Sequence, residues 1–157
     1  MIEVIAQNCR RVAEYLNLHI ATVLESIDTS FDTKIAPLGN LRLKIIELTY
    51  QLVRLNKQPI LDAIADTEVF ETMSNLIEAY PWNNFLQLKV QNLYEEVFDS
   101  PNVEFRRKVF EKSKIIDTII KLGQGTKYCH ASNRSIRQGY MALITRIANL
   151  FIAKNRD

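Results

Sequence analysis

Hydrophobic and polar residues follow one another along most of the chain with the spacing of an amphipathic helix. From Ile2 to Ile27, apolar residues recur every three or four positions and form a single stripe, which predicts a long N-terminal helix. The polar stretch from Asp28 to Ala36 then predicts a connector. Residues 39–56 predict a second helix, and its apolar positions cover most of the circumference. Such a helix is expected to be packed between neighbours.

Proline, asparagine and glycine mark the boundaries of the remaining helices. The Tyr80-Pro81 pair ends one helix, because the residue before proline disfavours the α conformation. Ser100-Pro101 resembles a helix start, with a capping hydroxyl followed by proline, and Gly123 is suited to a C-terminal cap. The predicted helices after the first cover 39–56, 59–65, 67–79, 83–99, 102–112, 114–122 and 135–153. A second connector is expected over 124–133, and no strand is expected.

An internal repeat indicates how these helices are arranged. Residues 43–48 align with residues 88–93 at an offset of 45 residues, and the match continues through the next two helices with one inserted residue. A period of about 40–47 residues built from two or three helices is typical of armadillo and HEAT arrays. We therefore expect an all-α, armadillo/HEAT-like helical-repeat solenoid. The residues expected to be buried between its units are Leu48, Leu52, Leu93 and Val97.

Composition narrows the class of protein. The 157 residues are 47% hydrophobic and 24% charged, with only four glycines and four prolines, which fits one helical domain over residues 1–157. The net charge of +2 comes from interspersed charges of both signs, and this argues against nucleic acid or an anionic membrane as a partner. No apolar run reaches the roughly 18 residues of a membrane span. Two cysteines do not make a disulfide framework, so we expect a cytoplasmic protein, with the nucleus as an alternative compartment.

Catalytic and metal-binding chemistry has little support in the sequence. His19 and His130 are the only histidines, and Cys129 adjoins the second of them. Neighbouring side chains rarely converge on one site, and no zinc-ligand spacing is present. The Gly-rich segment 123–127 lacks both the spacing and the preceding strand of a phosphate-binding loop. We expect no catalytic residue, no metal and no cofactor, and hence no enzyme.

Polar residues on the three long helices form the first candidate for a binding surface. If equivalent helices stack, their outward stripes merge into one extended and usually concave surface. This surface contains charges of both signs and amides, which suits a protein partner, although an ordinary solvated surface gives the same pattern. The candidate residues are Lys44, Glu47, Gln51, Lys89, Asn92, Glu96, Arg146 and Asn149.

The aromatic segment from Tyr80 to Leu86 is the second candidate. In one interpretation Trp82 and Phe85 fill a corner between the two repeats, and Asn83 or Asn84 caps the following helix. In the other, Tyr80 and Trp82 lie at a ridge and anchor a partner, as large aromatic side chains do at interface hot spots.

Three blocks of sequence resemble the SAPS family. They are Pro37-Leu38-Gly39 with Arg42-Leu43-Lys44-Ile45, the segment from Tyr80 to Leu86 with Val90-Gln91-Asn92, and Gly139-Tyr140 with the stretch from Thr145 to Asn149. They occur in the family's order over roughly residues 37–150, so residues 37–157 are expected to form SAPS-like repeats. Residues 1–36 are expected to form an N-terminal helix and connector without a match. Domains of this family are longer, so the resemblance implies a fragment or a reduced version.

The resemblance implies a function as well as a fold. SAPS proteins are helical-repeat regulatory subunits that associate with the catalytic subunit of Sit4-type and protein phosphatase 6-type phosphatases. The chain is therefore expected to be a non-catalytic scaffold that binds such a subunit and directs it to substrates. A generic armadillo-like adaptor that binds an extended peptide or another protein is the alternative. Armadillo peptide clamps repeat Asn and Trp along one row of helices, and here Trp82 is the only tryptophan.

Overall fold

The computed structural model describes residues 1–17, 27–28, 34–129 and 134–154, and helices make up most of these residues. Two short antiparallel pairs of strands lie between helices. The helices are α1 (Ile2–Asn17), α2 (Asn40–Arg54), α3 (Gln58–Ala65), α4 (Val69–Ala79), α5 (Asn84–Asp99), α6 (Val103–Ser113), α7 (Ile115–Gly123) and α8 (Met141–Lys154). The strands are β1 (Ile27–Asp28), β2 (Lys34–Ile35), β3 (Thr126–Cys129) and β4 (Arg134–Arg137), paired β1 with β2 and β3 with β4.

Local sequence chemistry explains where α3, α5 and α6 begin. A proline lies in the first turn of α3, where its missing N–H is not needed. The Asn83 side chain caps α5 by accepting a hydrogen bond from the Leu86 N–H at 2.9 Å. Asn102 caps α6 in the same way through the Phe105 N–H at 2.9 Å. The expected cap at Ser100 is therefore wrong, since an asparagine two residues later takes that role.

The two connectors contain strands that the helical pattern did not predict. β1 and β2 lie within or next to the first connector, so the apolar stripe that runs to Ile27 does not describe one helix: α1 ends at Asn17, and Ile27 pairs with Ile35. In the second connector, Thr126 pairs with Arg137. The last helix consequently begins at Met141 and not near residue 135. Strands of two and four residues are too short to give a detectable period-two pattern.

Helices α2 to α7 form two three-helix units, each with one long helix followed by two shorter ones. We call α2, α3 and α4 the first unit and α5, α6 and α7 the second unit. Helix α2 packs against α5, α3 against α6, and α4 against α7. Helix α8 packs against α5 and α7, and α1 packs against all three helices of the first unit. The 45-residue repeat in the sequence thus corresponds to helices that lie side by side.

The core between the units is apolar and rich in aromatic rings. Phe70, Tyr94 and Phe105 bring α4, α5 and α6 together, with ring centroids 6.1 and 6.5 Å apart. Phe98 and Phe151 meet edge to face at 4.7 Å and join α5 to α8. Such ring pairs add about 0.5–1.5 kcal/mol beyond the area that they bury.

Three of the four residues expected between the units are buried. Leu52 is 7% exposed, and Leu93 and Val97 are fully buried. Leu48, by contrast, is 44% exposed, so its predicted burial is wrong. The buried side of α2 is formed by Ile45, Ile46, Thr49, Leu52 and Val53. Leu48 lies one turn before Leu52, at the margin of this buried side, where packing covers only about half of its side chain.

Seven ion pairs cross from one unit to the next, and within the described residues all seven have the same direction. The carboxylate belongs to the earlier unit and the basic group to the later unit or to α8. Exposed ion pairs contribute about 0–1 kcal/mol each, so their shared direction matters more for how the units face each other than for total stability. The pairs are Glu47–Lys89, Asp62–Lys108, Asp66–Lys112, Glu71–Lys114, Glu78–Lys121, Glu95–Arg146 and Asp99–Lys154.

Candidate partner-binding face

The polar residues singled out on the long helices all reach the surface. We call this set the outer face; it comprises Lys44, Glu47 and Gln51 on α2, Lys89, Asn92 and Glu96 on α5, and Arg146 and Asn149 on α8. Each of these residues is exposed or half-buried, and none is buried. Because α2 packs against α5 and α5 against α8, the set follows three neighbouring helices.

A groove between α2 and α5 lies at the centre of the outer face. Its cavity measures about 110 Å³ and is lined by Glu47, Tyr50, Gln51, Lys89 and Asn92. The Glu47 carboxylate accepts hydrogen bonds from Lys44 Nζ at 3.0 Å and from Lys89 Nζ at 3.2 Å. These two bonds lower the pKa of Glu47. The carboxylate therefore stays ionised at neutral pH and leaves one positive charge in excess at the groove.

Helix α8 is tied to the outer face through a residue that sequence reasoning did not select. Glu95 accepts a hydrogen bond from Arg146 Nε at 2.8 Å and another from Gln91 Nε2 at 3.2 Å. Glu95 therefore fixes Arg146 against α5. Of the two remaining residues, Glu96 is half-buried on α5 and Asn149 is exposed on α8.

The turn between α4 and α5 holds the aromatic candidates. Tyr80 is half-buried, and its hydroxyl accepts a hydrogen bond from Arg42 Nη1 at 3.2 Å. Arg42 is itself buried, and its guanidinium also reaches the carbonyls of Leu16 and Leu38 at 3.4 and 3.5 Å. The polar end of Tyr80 is thus engaged inside the molecule, whereas Trp82 remains 39% exposed.

The interpretation in which Phe85 fills a corner between the two repeats is wrong. Its side chain is 74% exposed, and Leu88, one turn further along α5, is 56% exposed. We call Trp82, Phe85 and Leu88 the aromatic patch. Contiguous exposed apolar side chains commonly mark interaction sites. Sequence reasoning missed Leu88 as a surface residue because its position in the helical stripe resembles a core position.

The three family-like blocks of sequence converge at this turn. Arg42 from the first block bonds to Tyr80 from the second. In the third block, a Cβ atom on Gly139 would lie 2.5 Å from the Pro81 carbonyl oxygen and 2.9 Å from Trp82 Cε3. Only glycine allows this approach without a shift of the backbone. Arg42 and Gly139 are structural residues that sequence reasoning placed in the family blocks but did not assign a role.

Neither a metal-holding cluster nor a membrane-spanning helix is found among the described residues. The described part of the chain contains no group of three or more His, Cys, Asp or Glu side chains that could hold a metal ion. His19 and His130 lie outside the described residues, and only the backbone of Cys129 is described. No helix in this part of the chain combines the length and the apolar character needed to cross a bilayer.

A family model described as "SAPS: SIT4 phosphatase-associated protein" matches residues 1–156. The match includes the first 36 residues, which the sequence blocks left unassigned. The similarity therefore extends over α1 and the first hairpin as well as the two units.

Curated relatives carry related names. The chain is 24% identical over 131 residues to serine/threonine-protein phosphatase 6 regulatory subunit 3-A of Xenopus laevis, which covers 74% of this chain and 15% of the relative. It is 24% identical over 132 residues to the corresponding regulatory subunit 3 of Gallus gallus. A further match, 24% over 90 residues, is to the SIT4-associating protein SAP190 of Saccharomyces cerevisiae, covering 55% of this chain and 9% of that relative. The chain thus spans less than a sixth of these relatives. No solved structure matches significantly.

Proposed function

Because this chain belongs to the SAPS family, we propose that it is a non-catalytic regulatory subunit that binds the catalytic subunit of a serine/threonine phosphatase of the Sit4 or protein phosphatase 6 type. It would direct that enzyme to its substrates. The names of the Xenopus and yeast relatives support this function. In keeping with the free thiol of Cys9 and such a partner, we place the protein in the cytoplasm, with the nucleus as the alternative.

We also propose that the helices form an armadillo/HEAT-like solenoid. The side-by-side packing of α2 with α5, α3 with α6 and α4 with α7 supports this architecture. Helix α8 would then begin a third unit, since it packs on α5 as α5 packs on α2. In such an array, equivalent helices form a continuous surface that suits a large folded partner.

The outer face and the aromatic patch together form the proposed binding surface. One observation carries the proposal: the row of α2, α5 and α8 has a groove of about 110 Å³ lined by charged and amide groups, and highly exposed apolar residues occupy the start of α5 in the same row. Interfaces commonly combine a few apolar anchors with a surrounding polar rim. Phe85 and Leu88 fit the first role, and Gln51, Asn92 and Asn149 fit the second.

The test uses substitutions that change the surface without disturbing internal contacts. A double charge reversal at Lys44 and Lys89 is unsuitable, because both side chains bond to Glu47 and the change would bring three carboxylates together. Gln51 and Asn92 are exposed and line the groove. We therefore choose Gln51→Arg combined with Asn92→Arg, and Phe85→Ser as a separate variant. Asn75→Arg, at an exposed position on α4, is the matched control.

The measurement is binding of purified protein phosphatase 6-type catalytic subunit to the full chain, alongside thermal melts of each variant. We expect the groove double variant and Phe85→Ser to bind at least tenfold more weakly with unchanged melting, and Asn75→Arg to bind normally. Failure of the unaltered chain to bind the catalytic subunit would contradict the proposed function. Normal binding by both folded surface variants would contradict the proposed surface.

A further inference from the structure

The three long helices that lie side by side carry the same short pattern. In each, a leucine is followed three residues later by a lysine or arginine, and four residues after that by a second leucine. The three copies are Leu41-Lys44-Leu48 on α2, Leu86-Lys89-Leu93 on α5 and Leu143-Arg146-Leu150 on α8. Residues three or four apart are neighbours on a helix surface, so each copy forms one stripe.

In α5, this stripe is the surface that meets the preceding helix. Lys89 bonds to Glu47 on α2 at 3.2 Å. Leu86 and Leu93, one turn before and after Lys89, are fully buried. Since α2 is the element to which Lys89 is bonded, the stripe packs α5 onto α2.

In α8, the stripe has the same role against α5. Arg146 bonds to Glu95 on α5 at 2.8 Å. Leu143 is 2% exposed, and Leu150 is half-buried and packs against the core. Both junctions therefore combine two leucines with a basic side chain that pairs with a glutamate of the preceding helix.

In α2, the same stripe is only partly covered. Leu41 is 47% exposed and Leu48 is 44% exposed. The Lys44 side chain is 76% exposed and bonds to Glu47 of its own helix. Leu55, seven residues after Leu48 and 53% exposed, extends the stripe by two turns. We call Leu41, Lys44, Leu48 and Leu55 the α2 edge.

We propose that the α2 edge binds an amphipathic α-helix of a partner protein. This helix places apolar side chains against the leucines and a glutamate or aspartate against Lys44. The two internal junctions provide the template, because each pairs the same stripe with an apolar helix surface that bears one glutamate. The inference goes beyond the proposed phosphatase binding: apart from Lys44, the α2 edge shares no residue with the outer face.

A second copy of this chain does not fit the α2 edge. The helix surfaces that receive such a stripe belong to α2 and α5, and in every copy they are already covered by α5 and α8. Two α2 edges that met each other would place a lysine on both sides of the contact. The proposed occupant is therefore a helix of a partner protein that supplies the acidic counterpart.

The experiment measures binding of a fluorescent peptide with the sequence of residues 40–54 to the full chain by fluorescence anisotropy. This peptide is a suitable probe because it has the sequence of α2, and the side of α2 that carries Glu47 already binds Lys89 of α5 within the fold. We expect saturable binding that becomes at least tenfold weaker in the Leu41→Ala, Leu48→Ala double variant. Leu88→Ala, an equally exposed leucine away from the edge, is the matched control and should bind the peptide normally.

A charge exchange tests the role assigned to Lys44. We expect Lys44→Glu in the chain to weaken peptide binding at least fivefold, and a peptide with Glu47→Lys to recover most of that loss. Absence of binding, or binding that the edge variants leave unchanged, would overturn the proposal. Sedimentation of the chain without peptide provides an independent check, since a dimer that is lost in the leucine double variant would assign the edge to a second copy instead.

Discussion

Helices α2 and α5 are equivalent members of the two units, yet their edges have different surroundings. Leu93 on α5 is fully buried, whereas its counterpart Leu48 on α2 is 44% exposed. The two leucines have the same chemistry and the same place in the repeat. What differs is the neighbour at the edge: α5 presents this edge to α2, whereas α1, which packs mainly on α3, leaves the α2 edge about half exposed. Burial in such an array is therefore a property of the junction and not of the helix alone.

The polar positions in the two helices differ for the same reason. Thr49 on α2 donates its hydroxyl to the Ile45 carbonyl at 2.9 Å. Its counterpart Tyr94 is completely enclosed near Ser74 and Ser113, and no described residue gives its hydroxyl a well-aligned hydrogen bond. Burial raises the pKa of Tyr94 to about 12. The more enclosed helix thus carries a buried hydroxyl whose contacts with Ser74 and Ser113 are poorly aligned, which its counterpart avoids.

Truncation of the two equivalent leucines should give the largest difference in the free energy of unfolding. Leu93→Ala leaves a cavity in a closed core and should lower the free energy of unfolding by about 2–5 kcal/mol. Leu48→Ala removes a half-exposed side chain and should cost less than about 1 kcal/mol. Urea denaturation of both variants measures the difference. Equal losses would show that the α2 edge is covered in solution.

A bulkier residue at the turn between α4 and α5 should have the next largest effect. Gly139→Ala places a Cβ atom 2.5 Å from the Pro81 carbonyl oxygen, and relief of this contact requires a backbone shift, so we expect a loss of about 1–3 kcal/mol. Gly123→Ala is the matched control, because a Cβ atom there meets nothing within 4 Å. Thermal melts of the two variants give the answer, and similar melting temperatures would contradict the tight approach.

Removal of the buried hydroxyl should stabilise the protein. Tyr94→Phe removes a buried hydroxyl whose contacts with Ser74 and Ser113 are poorly aligned, and it should raise the free energy of unfolding by about 1 kcal/mol. The raised pKa of Tyr94 also means that the folded state favours the neutral phenol. Ionisation of Tyr94 therefore leaves the free energy of unfolding unchanged below about pH 10 and lowers it as the pH rises towards 12. Denaturation between pH 8 and 12 should show an alkaline loss that the Phe variant lacks. A destabilised Phe variant would mean that the hydroxyl is satisfied.

Loss of the ion pair between Glu47 on α2 and Lys89 on α5 should have the smallest effect on stability. The pKa of Glu47 is lowered by hydrogen bonds from Lys44 and Lys89. The ionised carboxylate therefore contributes to the free energy of unfolding at neutral pH, and this contribution is lost as the pH falls through the lowered pKa. At pH 7, Glu47→Gln should melt slightly below the unaltered chain, and the two melting curves should merge in acid. Salt should reduce the difference as well, because exposed pairs are screened. A difference that persisted in acid would exclude this ion pair as its source.

The sequence predicted the helices well, because their periodicity and caps act locally. Asn83 caps α5 as expected, and Tyr80-Pro81 ends α4. The hairpins were missed, since strands of two and four residues carry no periodic signal. Leu48 was assigned to the core, and one of two interpretations placed Phe85 in a corner between the repeats. An apolar residue in a stripe reveals its side of the helix but not whether another helix covers that side.

The candidate face was predicted in part. The spacing on α2 and α5 correctly brought Glu47, Lys89 and Asn92 to one groove, because the 45-residue repeat places equivalent helices side by side. Glu95 and Arg42 were not found, since their roles depend on long-range contacts with Arg146 and Tyr80. The sequence also contains the third copy of the leucine and basic-residue pattern, on α8. The 45-residue repeat does not reveal it, because the third copy follows the second by more than 45 residues.

The shared direction of the ion pairs has a consequence for partly folded chains. If the second unit detaches, the first unit uncovers an apolar surface that also carries Glu47, Asp62, Asp66, Glu71 and Glu78. Exposed apolar surface makes such species prone to associate. Here, two first-unit surfaces that met each other would bring five carboxylates to each side, and their repulsion opposes that contact. The basic surface of a second unit is attracted instead, so the charges that contribute little to the folded state favour the correct pairing of units while the chain is incompletely folded.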